Sequence, residues 1–250
     1  MSHLSYLPLG LPEQMPDINL SKYKAVFFDV GGTLLKVHPS VGDVYARYAR
    51  PFGFTGTPQE LDRRFGLEWQ RMGGMESLGL SQGVEVEKKF WSELVRGVFA
   101  VSGGLRDFDT FFATVYEAFR KREHWKIFAD VTDSAILPWL KNKGIIMGIV
   151  SNWDSRLPDI LASMELAHYF DFILASTVVG SAKPDKFIFQ EALRLSGADP
   201  AEACHIGDDL DADFHGARNV GVDAILIDRA GKQDGNEVAK IGSFHELVTV

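Results

Sequence analysis

The sequence is short of several things, and each shortage excludes a class of protein. It has a single cysteine, Cys204, in 250 residues, which rules out an internal disulfide and any zinc site built on cysteine pairs. Its seven histidines form no HxH or HExxH grouping. The longest apolar runs, such as Ile145–Val150, fall far short of the roughly 20 residues that span a bilayer. Basic residues are in deficit too: 26 Lys and Arg against 34 Asp and Glu give a net charge of −8. Such a chain lacks the cationic excess that nucleic acid and anionic membranes attract, so neither is an expected partner. Residues 1–21 carry no Lys or Arg and are broken by Pro8, Pro12 and Pro16. They do not read as a signal peptide, and a reducing cytoplasm is the expected location.

The rest of the composition is that of a folded domain, 46% apolar and 24% charged, with length for one or two domains. After an irregular arm at 1–21 comes Lys24–Asp29, a short apolar burst closed by an acid and the pair Gly31-Gly32. A continuous apolar run bounded by turn residues reads as a buried parallel strand. Similar bursts recur at Ile145–Val150, Phe172–Ala175, Ala203–Ile206 and Ala224–Ile227, separated by helix-like stretches near 155–165, 184–196 and 211–220. Lys183-Pro184 marks a helix start, since proline favours the first helical position. This alternation predicts an α/β fold, a parallel sheet with helices on both faces.

Residues 38–125 differ. Gln59–Met72, Glu85–Ala100 and Leu105–Arg122 have helical length, joined at Gly73-Gly74 and Gly103-Gly104. They read as a helical insertion between the first strand and the rest of the sheet, dividing the core into 22–37 and 126–250. Pro138 sits inside an otherwise helical Asp133–Lys143, which requires either a kink or a late helix start.

In an open parallel sheet, ligands bind beyond the carboxyl ends of the strands. The polar residues after the bursts therefore belong to one rim: Asp29, Gly31, Gly32 and Thr33; Ser151, Asn152 and Asp154; Lys183; and Gly207, Asp208, Asp209, Asp211 and Asp213. Carboxylates packed together repel by several kcal/mol at an intermediate dielectric, and stay ionised only around a cation. Oxygen donors alone point to a hard ion, magnesium before calcium. Lys183, the Ser151 hydroxyl, the Asn152 amide and the backbone N–H groups of the strand-to-helix turns suit an anionic group such as phosphate.

Four of these stretches resemble, in order, the motifs of the haloacid dehalogenase-like (HAD) superfamily of hydrolases. Phe27–Leu34 is similar to the first, an apolar strand ending D-x-D-x-T; Ile149–Asn152 to the second; Lys183-Pro184 to the third; and Ile206–Asp213 to the fourth, G-D-x-x-x-x-D. Together they frame most of residues 22–228. The Ser151–Arg156 run is also similar to a subgroup named for a rhythmically expressed gene. The resemblance implies a Rossmann-like core and makes the 38–125 insertion an α-helical cap domain. It implies that Asp29 is a nucleophile forming an aspartyl-phosphate with a small phosphorylated metabolite. Asp29, the Gly31 carbonyl and Asp208 would hold Mg2+; Ser151 and Lys183 would bind the phosphoryl group, with Gly32, Thr33 and Asn152 beside it; Asp209 and Asp213 would stand behind the metal.

One position departs from the pattern. The family's phosphatases carry a second aspartate two residues after the nucleophile as general acid and base, and this chain has Gly31. Such catalysis contributes about 10²–10⁴-fold. Three readings follow: phosphatase action on good leaving groups or with another acid, 2-haloacid dehalogenation from the same Asp29, or binding of phosphate ligands without turnover. The family's dehalogenases need no metal, whereas Asp208 and Asp209 keep a cation site, which favours the phosphatase. The family's phosphonate hydrolases use a cap lysine, and 37–87 contain none. Asp29–Thr33 also resembles the phosphate loop of actin-like sugar and acetate kinases, in which a second strand follows at once; here Leu34–Pro39 leads to helical spacing at Asp43–Arg50. Elsewhere, Asp154 and Asp211 read as helix caps or solvated acids, Cys204 as inert core, and Trp125, Trp139 and Trp153 as packing. Arg47 and Arg50 read as a solvated helix face or as selectors of an anion. His124, His205 and His215 have no partner legible from sequence.

Overall fold

The computed structural model describes residues 18–79, 83–100, 103–232 and 238–247. Its first strand, β1 (Ala25–Phe28), is buried along its whole length. Successive side chains of a strand point to opposite faces, so Ala25 and Phe27 enter one core cluster while Val26 and Phe28 enter another. A strand with two buried faces has no polar side, hence the unbroken apolar burst.

The chain then forms β2 (Leu35–Val37) and four longer helices, α1 (Val41–Ala49), α2 (Pro58–Met72), α3 (Val84–Ala100) and α4 (Phe108–Ala118), before returning through β3 (Trp125–Ile127). It continues with α5 (Ala129–Asp133), α6 (Ile136–Asn142), β4 (Ile146–Ser151), α7 (Leu157–Ser163), β5 (Phe172–Ala175), α8 (Ser176–Val179) and α9 (Lys186–Ser196). The last elements are β6 (Ala203–Gly207), α10 (Gly216–Arg218), β7 (Asp223–Ile227) and β8 (Lys240–Ile241). Six strands pair in parallel in the order β5-β4-β1-β6-β7-β8. β1 is central, with Phe28 opposite both Ile149 and Ile206. From β1 the chain builds β4 and β5 on one side, then crosses to β6, β7 and β8 on the other, so the carboxyl end of β1 is the switch point at which such sheets bind ligands.

Helices α1–α4 close over an apolar cluster of their own, which includes Val44, Leu61, Phe90, Leu94, Phe99 and Phe111. Their starts follow local chemistry: Ser40 Oγ accepts from the Asp43 amide at 3.0 Å, and Thr57 caps α2 with Pro58 at its first position. None of the helices among the described residues is long and apolar enough to cross a membrane.

Several local expectations change. A strand does follow the first loop at once: β2 pairs antiparallel with β3, Leu35 opposite Ile127, and stays outside the main sheet. Pro184 does not open a helix; α9 begins at Lys186, where the Asp185 carboxylate accepts from the Phe187 amide at 2.8 Å. Pro138 is accommodated by a late start. Ala135 takes φ +54°, α6 begins at Ile136, and Pro138 falls in its first turn, where a missing N–H costs nothing. Of the expected arm, residues 1–17 lie outside the described residues, while Leu20 is fully buried in the sheet core.

Phe27 is fully buried and packs its ring 5.8 Å from that of Phe172. Phe27→Ala should cost about 3–5 kcal/mol of stability, read from urea denaturation; a loss within the ~0.5 kcal/mol usual for surface changes would contradict this packing.

Candidate active site

The loop after β1 is tied down from three sides. Its start continues the sheet, the Asp29 amide donating to Ile206 O at 2.9 Å, and its end turns back on Val30 O, which accepts from the amides of Leu34 (2.9 Å) and Leu35 (2.8 Å). Gly32 sits at φ +79°, and a Cβ there would lie 2.1 Å from Asp208 Oδ2, so only glycine admits the approach of the two loops. From beyond β7, Arg229 donates to the carbonyls of Gly32 (2.7 Å) and Thr33 (2.8 Å) while its guanidinium pairs with Asp130.

The rims of β4 and β6 supply the rest. Ser151 Oγ donates to Asp29 Oδ1 at 2.8 Å. Asn152 grips the backbone of Lys183 by both ends, accepting from its amide (2.7 Å) and donating to its carbonyl (2.9 Å). This aims the Lys183 ammonium between Asp29 Oδ1 (2.7 Å) and Asp213 Oδ1 (2.5 Å). Asp213 arrives on a wide turn, Leu210–His215, in which the Phe214 amide reaches back five residues to Asp209 O at 3.2 Å. Wide turns of this kind are frequent at functional sites. Asp209 Oδ1 caps the turn through the amides of Asp211 (2.9 Å) and Ala212 (2.7 Å). Asp213 Oδ2 accepts from the Asp209 amide at 3.0 Å, and His205 Nε2 lies 2.8 Å from Asp213 Oδ1.

Asp29, Gly31, Gly32, Ser151, Asn152, Lys183, Asp208, Asp209 and Asp213 therefore line one cavity, of about 620 Å³. Thr33 is brought close but not to its wall: it is fully buried, with its hydroxyl 3.3 Å from Asp208 Oδ1. Carboxylate oxygens of Asp29, Asp208 and Asp213 all lie within 4.8 Å of one another. Three carboxylates against one ammonium leave two negative charges, the complement of a divalent cation. Every side-chain donor in the cluster is oxygen, as a hard ion requires.

The electrostatics follow from this crowding. Burial opposes the charge of Lys183, but Asp213 and Asp29 outweigh it and hold its pKa above the ordinary lysine value. Burial likewise disfavours the Asp213 carboxylate, yet Lys183 and His205 keep it well below the usual range. For Asp29 burial wins, aided by the charge of Asp213 and only partly countered by Lys183 and Ser151, so its pKa is raised. Lost hydration and the charges of Asp29 and Asp213 push Asp208 up to about 7. Its edge is open to solvent, which makes the two charges the weightier cause. His205 is buried and lowered.

At Gly31, where the resemblance leads one to expect an aspartate, a Cβ would lie 3.2 Å from Cζ3 of Trp153. The indole edge is thus in tight contact with any side chain placed there. Trp153 and Trp125 pack with ring centroids 5.2 Å apart, and both line the cavity, so they do more than fill core. Asp154 is neither a solvated acid nor a simple cap: it is fully buried, paired with Arg156, and accepts from Trp91 Nε1 at 2.7 Å. Beside it, Glu87 of α3 is 1% exposed and accepts from the Ser155 amide (3.0 Å), the Ser155 hydroxyl (2.6 Å) and the Thr177 hydroxyl. Helix α3 is thereby fastened to the loop after β4. Arg50 donates to Phe54 O at 3.1 Å, and neither it nor Arg47 reaches the cavity wall.

Sequence reasoning missed His205, Arg229 and the Glu87–Asp154–Arg156 group. Arg229 was within reach, since it follows an apolar burst as the other site residues do. His205 is betrayed only by strand parity, standing opposite Phe27 in register. The Glu87 group depends on contact between distant segments and leaves no local signal.

Residues 23–221 match the profile of the haloacid dehalogenase-like hydrolase family. Haloacid dehalogenase-like hydrolase domain-containing protein 3 of Homo sapiens is 31% identical over 204 residues, 80% of each chain. Rhythmically expressed gene 2 protein of Drosophila melanogaster is 29% identical over 219 residues, 84% of each. The crystal structure of a HAD phosphatase from Thermococcus onnurineus overlays with a TM-score of 0.64 at 25% identity, covering 89% of this chain and 95% of that one. The chain belongs to the haloacid dehalogenase-like hydrolase family, and the resemblance of its Ser151–Arg156 run to the rhythmically expressed gene subgroup agrees with the fruit-fly relative.

A raised carboxyl means the folded chain binds more protons than the unfolded one between about pH 4 and 7, so Asp208 lowers stability as pH rises through that window. Depressed His205 acts with the opposite sign, so the useful readout is a difference. Asp208→Asn should raise the Tm of metal-free protein more at pH 8 than at pH 5; an equal shift at both would contradict the crowding of charge.

Proposed function

We propose that this hydrolase is a magnesium-dependent phosphatase of small phosphate esters that works through an aspartyl-phosphate. One observation carries the reading: Lys183 and Ser151 converge on Asp29 Oδ1, leaving the second oxygen of Asp29 directed at neither. A phosphoryl group entering the cavity would meet that oxygen as nucleophile and the ammonium and hydroxyl as binding groups. The P–O bond to the alcohol breaks as the Asp29 oxygen bonds to phosphorus, and water then releases inorganic phosphate and restores the carboxylate. A HAD phosphatase among the similar solved structures supports the same class of substrate.

Asp29, the Gly31 carbonyl and Asp208 would hold the magnesium ion, with Asp209 and Asp213 orienting its surroundings; the two uncompensated negative charges and the all-oxygen donor set fit it. When bound, the ion neutralises charge on the phosphoryl oxygens. Gly32 and Asn152 shape the phosphate end, and Thr33 supports Asp208. In this reading residues 22–37 and 126–250 are the catalytic core and 38–125 the cap. The carboxylate cluster speaks against metal-free dehalogenation.

Asp29→Asn should abolish magnesium-dependent phosphate release from p-nitrophenyl phosphate, measured with and without chelator. Turnover that survives in the variant, or halide release from 2-chloropropionate in chelator, would overturn the reading. Because a Cβ on Gly31 would crowd Trp153 at 3.2 Å, Gly31→Asp should help most when combined with Trp153→Leu, which relieves that contact. The double variant is expected to speed alkyl phosphate hydrolysis by about tenfold or more relative to aryl esters, within the range of general acid catalysis. Equal gains on both would show that the acid is not what the parent lacks.

A further inference from the structure

The cavity is far larger than a phosphoryl group, and its walls are unusual in kind. At about 620 Å³ it falls among sites that enclose a ligand of drug size. Each of the four long helices contributes at least one aromatic ring to it: Tyr45 from α1, Phe65 and Trp69 from α2, Trp91 from α3, and Phe112 and Tyr116 from α4. Phe65, Trp69, Trp91 and Phe112 are only partly buried, so part of each ring remains uncovered. Charged side chains from the 38–125 segment that reach the cavity are few among the described residues. Glu76 is one, and it accepts from Asn152 Nδ2 at 2.6 Å. Arg156, from beyond β4, also lines the cavity but is committed to Asp154 and to Tyr116 O. Lys36 and Tyr116, whose buried hydroxyl is unpartnered among the described residues, also line it. These polar groups are few, and a sugar or amino-acid alcohol would bring more hydroxyls or charges than the aromatic walls can pair, at a cost in binding.

A second observation points the same way from the chemistry. Gly31 provides no proton for the leaving oxygen, and a Cβ there would crowd Trp153 at 3.2 Å. An alkoxide is about as basic as hydroxide, whose parent water has a pKa of about 15.7, and leaves poorly without a proton. A phenolate, with a parent pKa of about 10, leaves without one.

We propose, on the basis of the phosphatase reading above, that the substrates are phosphate monoesters of phenols whose apolar ring system, of about bicyclic size, is held by the aromatic walls of the helical layer. The P–O bond to the ring oxygen breaks as the Asp29 oxygen bonds to phosphorus. The electron pair departs with the phenolate, which takes its proton from water, and a second water hydrolyses the acyl-phosphate.

The test compares 2-naphthyl, phenyl and hexyl phosphates with magnesium present, and measures 2-naphthylphosphonate and methylphosphonate binding by calorimetry. The expected order is 2-naphthyl above phenyl by about tenfold in kcat/KM, carried by KM, since a second buried ring adds apolar area. Hexyl phosphate should be slow in kcat. Trp69→Ala should bring the naphthyl-to-phenyl ratio toward one. So should Gly66→Leu, which narrows the chamber at a helical site where an added Cβ meets nothing within 4 Å and so preserves the fold. Hydrolysis of all three esters at similar efficiency, or a ratio unmoved by either variant, overturns the proposal and leaves the phosphatase reading standing. Tight naphthylphosphonate binding with no turnover of any ester overturns the phosphatase reading instead, while still supporting an aromatic ligand in the chamber.

Discussion

The Lys183 ammonium, buried between the carboxylates of Asp29 and Asp213, is the constraint around which the site is built. A charge that far from water is tolerated only when paired and hydrogen-bonded, and the neighbouring structure is arranged to keep it so. Asn152 holds the lysine backbone at both its amide and its carbonyl. Gly207 has no side chain because a Cβ there would lie 2.1 Å from Asp213 Cγ, and the wide turn after β6 delivers Asp213 at the needed depth. His205 and the Asp209 amide spend the remaining capacity of Asp213, so that Asp29 and Asp208 are left facing the cavity. The ion group thus separates carboxylates that balance the lysine from those that can meet a ligand.

Opposite this polar floor, the helical layer presents rings. The floor is fixed by parallel strand ends and short hydrogen bonds, the roof by packing between helices. The two meet at Trp153, which lies beside Gly31 and against Trp125. At that junction a glycine stands beside an indole, so the polar floor and the aromatic wall come into contact there. In the proposed reading this one residue pair links leaving-group chemistry to substrate shape, two properties usually assigned to different parts of an enzyme.

Much of this was legible from residue order. Buried parallel strands advertise themselves by unbroken apolar runs, and the rule that ligands sit beyond strand ends gathered Asp29, Ser151, Asn152, Lys183, Asp208 and Asp213 before any contact was known. Pro138 announced a helix boundary, though not the left-handed Ala135 that creates it. The Pro184 expectation failed because an Asp185 side-chain cap set the helix start. β2 escaped notice because three residues pairing with a segment beyond four helices carry no local periodicity. The roles of Arg229, His205 and Glu87 were hidden for a related reason: each is defined by a partner far away in the chain, and a side chain that acts through tertiary contact has no spacing to betray it.

The central place of β1 also shapes how the molecule must assemble. The strand precedes the helical layer in the chain, and its neighbours β4 and β6 follow only after all four long helices have been made. Until then the Ala-Val-Phe-Phe segment has two unpaired edges and two apolar faces, the condition under which nascent chains aggregate. The helices, whose contacts are largely local, can close early, and they do so on the stretch of chain directly after β1. The inserted layer therefore stands to shelter the growing chain before it ever shelters a ligand, and sequence changes that slow its closure would be felt first as poor yield of folded protein.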